Sequence, residues 1–138
     1  MKRMAKRRSF PVAAFPRVIA MLGGLAFVAF GAWAMIVPRS FFQNVALFEP
    51  YNQHFLQDIG AFQIGLGAVL LLAAWRPVGD ALALALAGVG VGATLHALSH
   101  VIGRDLGGTP ATDIPFFATL AVALLAAGAL RWRQTRPS

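Results

Sequence analysis

Two pairs of side chains capable of chemistry recur at the same spacing. His54 and Asp58 stand four residues apart, and so do His96 and His100. On a helix that spacing puts both members of a pair on one face. Asn52 precedes the first pair, and Arg104 and Asp105 follow the second. Imidazoles and a carboxylate can ligate a divalent metal, and His54, Asp58, His96 and His100 would complete a tetrahedral or octahedral set. His54 facing His96 or His100 could hold a haem iron axially. The same groups hydrogen-bond carbonyls and hydroxyls, so within apolar walls they would suit a quinone, a lipid head group or a terpenoid. Alternatively they neutralise one another and fix how two helices meet. The chain lacks the second glutamate–histidine pair of di-iron bundles. It has no cysteine, which excludes disulfides and thiolate metal sites. The structural reading is the expected one, with a lipophilic-ligand site and a metal site as alternatives. Nothing in the pattern specifies a reaction.

The elements that must position these residues are apolar. Stretches over Val18–Val37, Phe55–Trp75, Val78–Ile102 and Ile114–Leu130 are each long enough, or nearly so, to cross about 30 Å of hydrocarbon at about 1.5 Å per helical residue. Hydrophobic residues make up 58% of the chain and charged ones 12%, about half the charged share of a soluble domain. The expected fold is all-α, a transmembrane four-helix bundle. Residues 1–17 and 133–138 would be basic tails around a single domain over 18–132. Pro38 ends the first span, and Ser40–Phe48 reads as a short interfacial helix with Phe41, Val45 and Phe48 on one face. We expect a greasy connector there rather than a lid. Asn52 suits a cap for the second span, Asp80 for the third, and Asp113 or Thr112 for the fourth, with Pro115 in its first turn. Gly88, Gly92, His96 and His100 recur at four-residue steps, which predicts a close helix contact that ends in two imidazoles.

The net charge of +7 is distributed as a membrane protein distributes it. Lys2, Arg3, Lys6, Arg7, Arg8, Arg17, Arg76, Arg131, Arg133 and Arg136 flank one side of the spans, and only Arg39 and Arg104 the other. This bias predicts cytoplasmic amino and carboxyl termini in a bacterial plasma membrane, with the basic tails on anionic head groups. No aromatic or motif context points to nucleic acid. Arg7-Arg8-Ser9-Phe10 resembles the core of a twin-arginine export signal, with Ala32-Trp33-Ala34 as a cleavage site. Pro11 and the apolar run past Ala34 favour a retained first span instead. Trp33, Trp75 and Trp132 fall near span ends, where indole rings favour the head-group level. On this topology all three histidines lie on the outer side. Asp58 would then have to face the bundle and find a partner, a histidine of the third span or Arg104. The inner halves of the spans carry no charge that could continue a proton relay. A homo-oligomer is compatible with this pattern.

The segment Asn52-Gln53-His54-Phe55-Leu56-Gln57-Asp58-Ile59-Gly60, continuing to Ala68, together with His96-Ala97-Leu98-Ser99-His100, resembles small four-helix membrane proteins of actinobacteria and related bacteria. More distantly the layout is similar to DoxX-like proteins, whose charged signature is missing here. The resemblance covers about residues 20–132. It implies a membrane bundle in which Asn52, His54, Asp58, His96 and His100 belong together, and it implies no reaction.

Overall fold

The computed structural model describes residues 10–136 of the chain. The basic residues Lys2, Arg3, Lys6, Arg7 and Arg8, and most of the twin-arginine-like motif, lie outside them. Helices follow in the order α1 (Phe10–Ile36), α2 (Pro38–Phe41), α3 (Gln53–Trp75), α4 (Ala81–Ile102) and α5 (Pro110–Thr135). Four of these are long and apolar enough to cross a membrane. The architecture is that of an all-α, multi-pass membrane protein. The helix ends differ from the apolar stretches that announced them. α1 starts eight residues before Val18 and contains Pro16, and α5 runs five residues past Leu130. The α5 extension is largely polar and basic, and such residues continue a helix readily once its apolar centre has nucleated it, whereas the α1 extension is apolar up to Arg17.

The bundle is two antiparallel helix pairs. α1 packs along α3, and α4 along α5, while α1 also meets α5 and the α3–α4 contact is sparse. Glycine decides the first seam. A Cβ on Gly60 would lie 2.6 Å from the Gly31 carbonyl oxygen, and one on Gly31 would lie 2.6 Å from that of Gly60. Gly24 and Gly67 face each other in the same way. Stepping seven residues along α1 moves the contact seven residues back along α3, as an antiparallel pair in heptad register requires. The second seam is looser. Gly90 packs under Leu125 of α5, and Gly128 against the backbone of Ala83 and Ala87.

The expected seam along Gly88 and Gly92 is not used. Neither has a heavy atom within 4 Å of where its Cβ would be. Four-residue steps advance about 40° around a helix, since four residues turn about 400°. A stripe that is open at Gly88 has therefore rotated onto α5 by the time it reaches His100.

The main core draws Ala20 from α1, Leu70 and Ala74 from α3, Leu82, Leu86, Val89 and Ala93 from α4, and Ala121, Leu124 and Ala127 from α5. It lies toward the end that carries Arg76. A second apolar cluster at the other end joins Ala34, Phe41, Phe42 and Leu56, with Trp33 and Tyr51 against it. The expected helix over Ser40–Phe48 starts and ends two residues earlier, with α2 as its first part. After α2 the backbone widens into a π-helical turn over Phe42–Ala46. Phe41 and Phe42 turn inward onto α1 and α3, whereas Phe48 leaves that face and points toward α4. Trp33 donates its indole N–H to Ser40 Oγ at 3.2 Å, which holds α2 against the end of α1.

Candidate functional site

The His96–His100 pair meets α5. The two rings stack at 5.0 Å with their Nε2 atoms 3.1 Å apart. The Phe117 ring covers both, 4.0 Å from His96 and 4.9 Å from His100. One turn earlier on α5, Asp113 places a carboxylate oxygen 3.8 Å from His100 Nδ1. That is ion-pair range and too long for a direct hydrogen bond. The same oxygen accepts the Thr109 backbone N–H at 2.8 Å, satisfying a donor that the helix start leaves free. Moving four residues along α4, from His96 to His100, moves four back along α5, from Phe117 to Asp113. The antiparallel register thus sets one aromatic and one acidic neighbour against the two imidazoles.

Loops close over this end. The Gly108 N–H donates to the Leu47 carbonyl at 3.3 Å. Gly107 and Gly108 take positive φ, 129° and 77°, a backbone state that side chains disfavour. There is also no room for one, because a Cβ on Gly107 would lie 2.9 Å from the Leu47 carbonyl oxygen. The tight turn lets the Phe48 ring lean on His100, with centroids 6.1 Å apart. Side-chain exposure falls to 13% at His100 and 24% at Asp113, while His96 keeps an open edge on the flank.

His54 and Asp58 make a separate pair. Their nearest N and O atoms are 3.5 Å apart, with side chains 87% and 55% exposed. Asp58 therefore faces outward beside His54, not into the bundle toward a histidine of α4 or Arg104. The physical reason is its height. α3 begins at Gln53, so Asp58 lies only about 7–8 Å from the helix end by rise, where an outward carboxylate stays near water. Arg104 is taken up by Asp105 at 3.7 Å, both on the exposed loop. Asn52 caps α3 as its type suggests, its side-chain oxygen accepting the Phe55 N–H at 3.1 Å. Asp80 occupies the cap position of α4 without a side-chain cap hydrogen bond. Gln57 donates to the Met35 carbonyl at 3.3 Å, across the α1–α3 seam. Gln63 keeps a buried amide oxygen without a partner among the described residues.

The expected constellation of His54, Asp58, His96 and His100 is thus divided between two flanks. No hydrogen bond or ion pair joins the halves among the described residues. Nor do any three histidine, aspartate or glutamate side chains among them converge as metal ligands. The His96–His100 pair alone would offer two nitrogens, short of the three or four protein ligands that zinc sites use. Asp113 and Phe117 were the residues sequence reading left out of the site. The sequence pattern suggests Asp113 as a cap and sets it in the loop above the histidines, and it and Phe117 share the four-residue spacing of the imidazole pair they meet.

The fold and this end define a multi-pass α-helical membrane protein with an internally paired histidine cluster. Compared with protein-family models, with curated proteins and with solved structures, the chain finds no match.

Proposed function

We propose that this is an accessory protein of the bacterial plasma membrane, with both termini cytoplasmic, in which His96, His100 and Asp113 fasten α4 to α5. It would be of the small four-helix kind that the Asn52–Ala68 segment resembles. The observation that carries this reading is the internal pairing of the cluster. His96 and His100 share a contact through Nε2, His100 Nδ1 faces Asp113, Asp113 is held by the Thr109 N–H, and Phe117 covers the ring faces. A group whose polar atoms meet each other is suited to fixing register more than to receiving a substrate. Interhelical polar contacts of this type contribute about 0.6 kcal/mol on average in membranes, and up to about 1.7. The sidedness rests on the ten basic residues that flank one face of the spans against two on the other.

A second reading draws on the open edge of His96. There a quinone in its reduced form, a lipid or another small lipophilic hydroxyl compound could donate a hydrogen bond to the ring's free nitrogen. Two variants separate the readings in detergent-purified protein. His96→Ala removes both the stack on Phe117 and the Nε2 contact with His100, whereas His96→Phe keeps the stack and removes the ring nitrogens. A structural cluster gives the larger drop in melting temperature for His96→Ala, a smaller drop for His96→Phe, and no small molecule whose retention depends on His96. Loss of a co-purified lipophilic compound in a normally melting His96→Phe protein would replace the structural reading with the binding one.

A further inference from the structure

The opposite end of the bundle holds a cavity of about 320 Å³ lined by Ala13, Ala14, Pro16, Arg17, Pro77, Leu82 and Arg131. We propose that it is a phosphate-binding site in which Arg17 and Arg131 grip one phosphoryl group, carried by an anionic lipid or by a soluble phosphate ester. The volume falls at the lower edge of the range of ligand clefts, about 300–1,000 Å³.

The charge in this cavity is unmatched. Arg17 and Arg131 line one small cavity, Arg17 exposed and Arg131 half-buried, and guanidinium stays charged under physiological conditions. Neither has a hydrogen bond or ion pair among the described residues, whose ion pairs all lie elsewhere. Arg131 goes further, since its Nε is buried and meets no acceptor. A charged donor removed from water without a partner is costly, and two like charges add to the cost. A phosphoryl group relieves both at once. It supplies several acceptor oxygens, and its geometry matches the fork of an arginine.

The cavity is also built into the fold. Pro16 has no N–H, so the Val12 carbonyl one turn before it loses its helical partner. Gln134 of α5 donates its side-chain amide to that carbonyl at 3.2 Å. This bond ties the start of α1 to the end of α5, the two elements that carry the arginines. Pro16 and Leu82 form buried apolar walls. The site lies near helix ends where Trp132 and Arg136 stack at 5.0 Å, the level of phosphate head groups around an embedded helix. The inference requires that the chain be embedded and is indifferent to which side of the membrane this end faces.

The test uses the full chain purified in dodecyl maltoside, which carries no phosphate, first alone, then with added phosphatidylglycerol, then with added inorganic phosphate. Phosphatidylglycerol or inorganic phosphate is expected to raise the melting temperature by a few degrees. A response to the first alone assigns the phosphoryl group to a lipid. A response to inorganic phosphate assigns it to a soluble ester. Arg17→Gln and Arg131→Gln should each weaken the response about tenfold or more, read from the midpoint of the titration. Arg131→Lys should retain part of it, and Arg133→Gln, outside the cavity, should retain all of it. The proposal is overturned if neither addition shifts the wild-type protein. It is equally overturned if Arg17→Gln and Arg131→Gln, confirmed as folded by circular dichroism, respond as the wild type does.

Discussion

Two imidazole nitrogens 3.1 Å apart cannot both present a proton to each other. One ring must donate from Nε2 and the other accept there, so the His96–His100 pair is chemically unequal although its residues are identical. Asp113 beside His100 Nδ1 favours a proton at that nitrogen, which leaves His100 Nε2 as the acceptor when the ring is neutral. We expect nitrogen-15 long-range correlation spectra at neutral pH to show His96 protonated at Nε2 and His100 at Nδ1. Asp113→Asn should weaken this preference, and two rings of the same tautomer in the wild type would contradict the contact. The sequence made the individual residues visible, and Asn52 could be named as a cap from its type alone. What it hid was direction. His54 and Asp58 have the same spacing as His96 and His100, yet the first pair faces outward and the second meets a neighbour, and spacing within one helix carries no information about the next.

At the scale of elements, backbone proximity separates glycines that look alike on paper. A methyl group on Gly60 would have to push the Gly31 carbonyl away, whereas one on Gly88 meets nothing within 4 Å. Gly60→Ala should therefore cost about 1–3 kcal/mol through overpacking. Gly88→Ala should stay within about 0.5 kcal/mol of the native protein. Reversible unfolding in detergent, or the melting temperatures of the two variants side by side, measures the difference. Equal melting would mean that α1 and α3 do not approach as described. The four long helices could be read from hydropathy because lipid demands length and apolarity of each one separately. The pairing of α1 with α3 could not, since Gly24, Gly31, Gly60 and Gly67 form a pattern only when two segments are set antiparallel. Gly88 and Gly92 formed the more obvious pattern and face open space.

For the whole molecule the prediction concerns sidedness. The chain has no cysteine, so single cysteines report cleanly. Asp105→Cys, on the loop after α4, should react with an impermeant maleimide added to intact cells. Val78→Cys, on the link between α3 and α4, should react only after the membrane is opened. The reverse pattern would turn the proposed orientation over. The same experiment places the arginine-lined cavity, since Pro77 belongs to that link. Composition carried the multi-pass class in advance, because a bilayer imposes apolarity on every embedded chain, and the charge bias supplies the expected orientation that this labelling tests. The division into two helix pairs needed coordinates.

That division bears on synthesis. Both glycine contacts of the first seam lie between residues 24 and 67, and α3 ends at Trp75. Once the ribosome has passed that point, the first half of the bundle already possesses each of its own interlocking surfaces, and nothing translated afterwards alters them.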